Sequence, residues 1–247
     1  MSVPFKARLR GRRTTWLVNT DHASPGLVDF VAELGVDAVM IDCEQGPPSF
    51  EDVENMTRAA RLHGAAAIVR VPSADPQTIG RYLSRGIDGL VVPRLDTAAQ
   101  VSRTVAEIRY CAPLDFDDKV IIVEVESIEA ARQIDGFLAV PEVDCFFVGP
   151  VDLAKSMGYG GDYSQPAVLA ELDRVIARTR EAGRCVGAMV KEHDLRDWQR
   201  KGATMLYTHV NDFVAAGLRQ WRAIAGTAAD DARGSSDASL AARAMPR

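Results

Sequence analysis

The stretch VIIVEVE, residues 120–126, decides the fold. It is a run of β-branched residues in which only the two glutamates, Glu124 and Glu126, are polar. Such a run is typical of a strand in a parallel sheet, because helices cover both faces of a parallel sheet. The stretch therefore predicts a buried parallel strand with carboxylates at its C-terminal end.

Seven further short apolar runs lie on either side of this one, at residues 15–19, 38–42, 67–71, 89–94, 144–149, 186–190 and 205–210. Helical periodicity fills the gaps, for example over residues 27–34 and over 169–179 before Gly183. Eight βα units close most economically into a (β/α)8 TIM barrel. An open doubly wound sheet is the alternative, but the first strand is not followed by a GxGxxG motif.

The overall composition fits one ordinary globular domain. The chain has 247 residues, a length that one such barrel commonly fills. We predict a barrel domain over residues 1–225, followed by a flexible tail over residues 226–247, which are rich in Ala, Ser, Asp and Gly.

The composition also argues against several classes of partner and location. A net charge of −5 argues against a nucleic-acid partner. No apolar run is long enough for a membrane span, and the basic N-terminus lacks the apolar segment of a signal peptide. The four widely spaced cysteines suggest reduced thiols. We therefore expect a cytoplasmic protein.

Reactive groups of a barrel enzyme sit where its strands end, at the C-terminal face. Glu126 ends one predicted strand, and Asp152 follows the next one. Two neighbouring carboxylates repel each other unless a cation or protons lie between them, and oxygen ligands suit Mg²⁺ or Mn²⁺. The pair therefore predicts a divalent-metal site; the alternative is a buried ion-pair network with Arg70.

Arg70 also ends a predicted strand, and two roles are open to it. It could neutralise Asp42 or Glu44 on the neighbouring strand, or its planar fork could hold a carboxylate or keto oxygen of a substrate. The segment of Gly149, Pro150, Val151 and Asp152 can present backbone N–H groups at a helix start, where an anionic group binds well.

Together the segments DCEQGP (42–47), IVRVP (68–72), VEVES (123–127), FVGPVDL (147–153) and MGY (157–159) resemble those of the HpcH/HpaI-type class II 2-oxo-acid aldolases. This family belongs to the phosphoenolpyruvate/pyruvate superfamily, and the resemblance runs from about residue 16 to about residue 225.

The resemblance implies a metal-dependent carbon–carbon lyase acting on a 2-oxo acid through a pyruvate enolate. In that case Glu126 and Asp152 ligate Mg²⁺, Mn²⁺ or Co²⁺, and Arg70 binds the keto oxygen. The amides around Val151 and Asp152 hold the carboxylate, and Glu44 supports metal-bound waters. The resemblance also implies a homo-oligomer, such as a hexamer or trimer of dimers.

Three features depart from the family pattern. Gln45 follows the glutamate of the strand-two motif where the family has a His, and Gln cannot exchange a proton near neutral pH. The position of the Asp that pairs with this His is Ser84, and only residues 110–119 stand before strand five, where the family has a longer loop.

Other residues could replace the missing base. His22 follows strand one and His209 ends strand eight, so a closed barrel would bring both to one mouth. Local loop hydrogen bonds are the alternative for each of them. Lys191 at the end of strand seven permits a Schiff base, but the acidic pair argues against it.

Three functions therefore remain open. The first is an aldolase with a substitute base, since cleavage must remove a hydroxyl proton. The second is a decarboxylase of a β-keto diacid such as oxaloacetate, which needs no such base. The third is a catalytically silent paralogue that binds an oxo acid.

Overall fold

The computed structural model describes residues 3–225, and the strands of this part form one closed parallel barrel in the order β1 to β8, with β8 paired to β1. The strands are β1 (Thr15–Asn19), β2 (Ala38–Asp42), β3 (Ala66–Arg70), β4 (Gly89–Val92), β5 (Val120–Val125), β6 (Cys145–Val148), β7 (Cys185–Met189) and β8 (Met205–His209). The predicted TIM barrel is confirmed, and the predicted runs differ from the strands only by a residue or two at their ends.

Helices connect the strands along the whole ring. They are α1 (Phe5–Arg10), α2 (Pro25–Glu33), α3 (Phe50–Leu62), α4 (Pro76–Leu83), α5 (Ala98–Cys111), α6 (Ile128–Arg132), α7 (Ile134–Leu138), α8 (Pro150–Ser156), α9 (Pro166–Glu181), α10 (Leu195–Lys201) and α11 (Val210–Ala225). The helix predicted at 169–179 is part of α9, and Gly183 just beyond it has a φ of +71°, as expected for a helix stop.

Helix α1 closes the N-terminal end of the barrel. Its Phe5 and Leu9 pack with the side chains that fill the interior, among them Met40 and Ile68. Arg10 Nε also donates to Asp144 Oδ1 over 2.5 Å, and Asp144 directly precedes strand β6. Because this end is closed, the opposite end, where the strands finish, is the mouth that positions the polar groups.

The chain divides after Val210 into two compact units, and the barrel is the first of them. The described part of the second unit is the rest of helix α11. The single domain of residues 1–225 stays a prediction, and the predicted tail, residues 226–247, lies outside the described residues. Within the described part, no helix has the length and apolarity to cross a membrane, and Cys43, Cys111, Cys145 and Cys185 are free.

Candidate active site

Arg70 lies at the mouth of the barrel and forms an ion pair with Asp42. Strands β2 and β3 pair in register, with Asp42 opposite Arg70. The Arg70 Nε donates to Asp42 Oδ1 over 3.0 Å and Nη2 to Asp42 Oδ2 over 2.6 Å, a bidentate ion pair. Burial alone would lower the pKa of Arg70, but hydrogen bonding to Asp42 and the charge of Glu124 raise it. The predicted neutralisation of Asp42 by Arg70 is present.

Glu44 joins this pair to a second arginine. Its side chain is only 8% exposed, and it lies 3.4 Å from Arg70 Nε and 3.0 Å from Arg94 Nη2. Arg94 follows strand β4 and has a left-handed backbone, with φ of +58°. A non-glycine residue adopts this conformation only where the surrounding contacts fix it. Glu44 is therefore a carboxylate shared between two guanidinium groups.

Glu124 is the penultimate residue of β5 and Glu126 follows the strand directly, so strand alternation predicts that both side chains point to the same side, with Glu124 one layer deeper. Glu124 is 2% exposed; its Oε1 lies 3.6 Å from Arg70 Nη1, and its Oε2 accepts no hydrogen bond from the described residues. Burial, followed by the charge of Glu126, raises the pKa of Glu124 well above its ordinary value. The positive charge of Arg70 thus neutralises only part of the negative charge of the carboxyl groups at this end of the barrel.

Glu126 and Asp152 are brought together by strands β5 and β6, which pair up to Val125 and Val148. Burial raises the pKa of Glu126, and the charges of Asp152 and Glu44 raise it further. The N–H of Arg94 donates to Glu126 Oε1 over 2.7 Å and lowers this pKa. The two carboxyl groups are therefore within electrostatic reach of each other, while Asp152 also accepts from Lys155 Nζ over 2.9 Å.

Gly149 makes room for Glu126. A Cβ atom at this position would lie 2.9 Å from Glu126 Cβ and 3.6 Å from Glu126 Oε2. A contact of 2.9 Å is tighter than real Cβ atoms tolerate, so any larger residue would displace the glutamate. The Glu126 carboxylate can therefore keep its position only with a glycine at residue 149.

The segment after strand β6 begins helix α8, with Gly149 as its N-cap and Pro150 in its first turn. Pro150 has no N–H, and the amides of Val151 and Asp152 belong to the first turn, where a helix offers no internal acceptor. The predicted helix start is therefore present.

Gln45 and Ser84 are not brought together as an acid–base pair. Gln45 is exposed, and its backbone N–H donates to Asp42 Oδ1 over 3.2 Å. Ser84 is the C-cap of helix α4, ahead of strand β4, and its hydroxyl donates to the carbonyl of Arg81 over 2.8 Å. Because Ser84 ends a helix that leads into a strand, it lies toward the closed end of the barrel.

The two histidines at the mouth have different surroundings. His22 is exposed, and its backbone carbonyl accepts from Thr20 Oγ1 and from the N–H of Ser24. His209 lies opposite Asn19 on the adjacent strand β1, and its Nδ1 is 2.5 Å from Asp21 Oδ1. Both histidines lie at the mouth beside β1 and β8, as expected, and Asp21 is one partner of His209. Lys191 follows β7, where its N–H donates to Asp194 Oδ1.

Sequence reasoning placed Asp21 in the loop after strand one but gave it no role, and it did not identify Arg94 or Tyr207 as parts of the mouth. Tyr207 is fully buried on β8, and its hydroxyl accepts from Asn19 Nδ2 over 3.0 Å. Arg94 and Asp21 are each the second residue after a strand, and position alone could have drawn attention to them. Their partners, however, come from distant parts of the chain and are visible only in the folded barrel.

The model of the HpcH/HpaI aldolase/citrate lyase family matches residues 16–213, which include the whole mouth described above. The chain belongs to this family. The resemblance inferred from the strand-end motifs is confirmed.

Proteins similar to this member of the HpcH/HpaI family include a hydroxypyruvate/pyruvate aldolase from Delftia acidovorans, 28% identical over 222 residues that cover 79% of this chain and 82% of that protein. A 2-keto-3-deoxy-L-rhamnonate aldolase from Klebsiella pneumoniae is 27% identical over 248 residues, covering 86% of this chain and 91% of that one. A solved HpcH/HpaI aldolase/citrate lyase family protein from Burkholderia cenocepacia has a TM-score of 0.79 and 26% identity, covering 87% and 96% of the two chains.

Proposed function

We propose that this protein is a divalent-metal-dependent carbon–carbon lyase that cleaves a 4-hydroxy-2-oxo acid to an aldehyde and pyruvate or hydroxypyruvate. The observation that carries the proposal is that Glu126 and Asp152 follow the paired ends of β5 and β6, at the same end of the barrel as Arg70, where the charge of Asp152 acts on Glu126. The aldolase names of relatives that align over most of the chain support the same chemistry.

A hard divalent cation fits the residues at this mouth. Five carboxyl groups face three cationic side chains there, namely Asp42, Glu44, Glu124, Glu126 and Asp152 against Arg70, Arg94 and Lys155. The excess of oxygen donors, and a Glu126 pKa raised by burial and by its acidic neighbours, favour a bound cation.

The two carboxylates leave room for other ligands around such an ion. Among residues 3–225 no group of three or more His, Cys, Asp and Glu side chains is placed to hold a metal. Glu126 and Asp152 would therefore hold it together with water and substrate oxygens, the mode in which Mg²⁺ is commonly bound. Once bound, it supplies Lewis-acid stabilisation of negative charge on the oxo acid.

The remaining residues bind and orient the substrate. Arg70 is held in one orientation by Asp42, which binds Nε and Nη2, and its remaining N–H groups would donate to the keto oxygen. The backbone N–H groups of Val151 and Asp152, in the segment that begins with Gly149 and Pro150, donate to the substrate carboxylate. Glu44 orients water at the acidic pair, and Gln45 at the exposed rim offers hydrogen bonds without exchanging a proton.

Decarboxylation of a β-keto diacid such as oxaloacetate is the second candidate. The specific observation in its favour is that Gln45 and Ser84 do not form a proton-transferring pair. Loss of CO₂ needs stabilisation of the developing enolate but no base at a substrate hydroxyl, so Arg70 and the acidic pair suffice for it.

The two functions are separated by a metal titration of the whole protein. After dialysis against a chelator, Mn²⁺ or Mg²⁺ is expected to restore pyruvate release from a 4-hydroxy-2-oxo acid and CO₂ release from oxaloacetate. Restoration of CO₂ release alone would favour the decarboxylase. No metal-dependent turnover of either compound would contradict both functions and leave a protein that only binds oxo acids.

Gly149→Ala is expected to weaken Mn²⁺ binding about tenfold, because the new methyl group displaces Glu126. Calorimetric titration measures the affinity. Gly26→Ala is the matched control, since a Cβ there meets no atom within 4 Å, and it should bind Mn²⁺ like the parent protein. Equal affinity of both variants would show that the position of Glu126 is not limiting.

The proposal includes a homo-oligomer, a hexamer or trimer of dimers. Helix α11 carries exposed apolar residues at helical spacing, Val214, Leu218 and Trp221. An exposed apolar stripe of this kind marks a surface that another chain can cover.

A further inference from the structure

A histidine–aspartate pair stands at the mouth, on the edge between β8 and β1. His209 Nδ1 and Asp21 Oδ1 are 2.5 Å apart, and their side chains are 27% and 21% exposed. Both groups are therefore shielded from bulk water but still reachable from the mouth. This pair joins residues 188 positions apart in the sequence.

Asp21 is held in a strained backbone conformation. Its φ is +59°, in the left-handed region, which a non-glycine residue adopts only at an energetic cost. Asn19 supports this conformation, because its Oδ1 accepts the N–H of Asp21 over 2.9 Å. The second carboxylate oxygen, Asp21 Oδ2, is buried and accepts no hydrogen bond from the described residues. Strain and an unsatisfied buried oxygen together are typical of a functional rather than a merely structural aspartate.

The pair faces the same chamber as Arg70. Tyr207 and His209 are alternate residues of β8, so they point to the same side, and their rings lie 5.0 Å apart. Burial raises the pKa of the Tyr207 hydroxyl, Arg70 lowers it, and Asp42 and Asp21 raise it. The charges of both the Arg70–Asp42 pair and Asp21 therefore act on this one hydroxyl.

The contact fixes the chemical role of each nitrogen of His209. An ionised carboxylate can only accept hydrogen bonds, so Nδ1 of a neutral His209 carries the proton that Asp21 binds. The lone pair is then on Nε2. When Nε2 takes up a proton, Asp21 stabilises the resulting imidazolium, as an aspartate does in other nucleophile- or base-activating pairs.

We infer that His209, positioned by Asp21, is the general base and acid of the proposed cleavage and replaces the proton-transferring pair that Gln45 and Ser84 do not supply. This inference rests on the proposed function. His209 is the catalytic residue in this assignment, because its Nε2 exchanges the proton with substrate, and Asp21 is a positioning residue.

The proton and the electrons balance within the active site. Nε2 of His209 takes the proton of the substrate C4 hydroxyl, and the O–H electron pair forms the C4 carbonyl of the aldehyde. The C3–C4 bond breaks, and its electron pair moves into the enolate of pyruvate. Nε2 then returns its proton to C3 and the keto group reforms, so that no external oxidant or reductant is consumed.

The test compares reactions that need a base with one that does not. His209→Gln is expected to lower cleavage of a 4-hydroxy-2-oxo acid, and exchange of pyruvate methyl protons with D₂O, by about 10²–10³-fold. The rate at which this variant decarboxylates oxaloacetate should stay within about threefold of the parent rate, because decarboxylation needs no base.

Asp21→Asn should lower kcat of cleavage by at least about tenfold without raising KM, since it acts on the orientation of His209. His193→Gln, at a histidine whose side chain is 81% exposed, is the matched control.

Each outcome decides the inference. If His209→Gln cleaves the hydroxy acid and exchanges the methyl protons like the parent, His209 is not the base. An equal loss of decarboxylation would also overturn the role, because the effect would then be structural. If the parent protein decarboxylates oxaloacetate but neither cleaves nor exchanges, the base is refuted while metal-dependent chemistry stands. If the parent protein has none of these activities, both the assignment of His209 as the base and the proposed function are wrong.

Discussion

Glu126→Gln is expected to lower metal-dependent pyruvate release by about 10³-fold, roughly 4 kcal/mol of transition-state stabilisation. The substitution removes the negative charge through which the carboxylate would hold the cation beside Asp152. It keeps an oxygen that can still accept the Arg94 N–H, now bonded to Glu126 Oε1 over 2.7 Å. Steady-state assays at saturating Mn²⁺ measure the rate, and calorimetry measures the affinity.

The fold should not suffer from this substitution. Burial and the charges of Asp152 and Glu44 raise the pKa of Glu126, which means that its charged form is disfavoured where it stands. The neutral amide removes that repulsion, so the metal-free variant should unfold at the same denaturant concentration as the parent or a higher one. Glu129→Gln, an exposed position in α6, is the matched control. A Glu126→Gln variant that turns over at the parental rate would sink the metal-site proposal.

Asp42→Ala is expected to cost about 3 kcal/mol of the free energy of unfolding. The variant removes both hydrogen bonds of the bidentate pair and leaves Arg70, whose side chain is 16% exposed, with only the more distant Glu44 and Glu124. It also removes the acceptor of the N–H groups of Glu44 and Gln45. A buried charge without its partner is costly because water cannot replace the lost hydrogen bonds.

Urea unfolding of two further variants calibrates this value. Asp42→Asn keeps one acceptor oxygen but loses the charge and the second acceptor, so its loss should be smaller than that of Asp42→Ala, about half as large. Asp197→Ala breaks a solvent-exposed pair with Arg200 and should cost less than about 1 kcal/mol. If Asp42→Ala were as mild as Asp197→Ala, the Arg70–Asp42 pair would contribute nothing to the barrel, and the view that Asp42 fixes Arg70 would be wrong.

The sequence predicted the barrel and one part of its mouth for a common reason. In a parallel barrel each strand is buried on both faces and every strand ends at the same side. A run such as VIIVEVE therefore reveals both the strand and the place of its terminal carboxylates. Glu124, Glu126, Asp152 and Arg70 could be placed in this way, because strand alternation and strand order are local properties of the chain.

The pairing of side chains could not be predicted in the same way. The two histidines were expected at the same mouth, beside β1 and β8, but the contact between His209 and Asp21 was not predicted. Which of two adjacent loop residues turns inward depends on the backbone angle at Asp21, whose φ is +59°, and on the Asn19 hydrogen bond that supports it. Arg94 was likewise included in a strand, whereas strand β4 ends at Val92 and the left-handed residue beyond it reaches Glu44 and Glu126.

The sequence by itself determined the number and order of the strands and the family, since apolar periodicity and strand-end motifs are written along the chain. Only the tertiary structure decided which charges neutralise one another at the mouth. Arg70 is bound to Asp42, Glu44 is shared by Arg70 and Arg94, and Asp21 is bound to His209. The physical reason is that electrostatic energy depends on distance and burial in space, and these contacts join residues that lie on separate strands and loops.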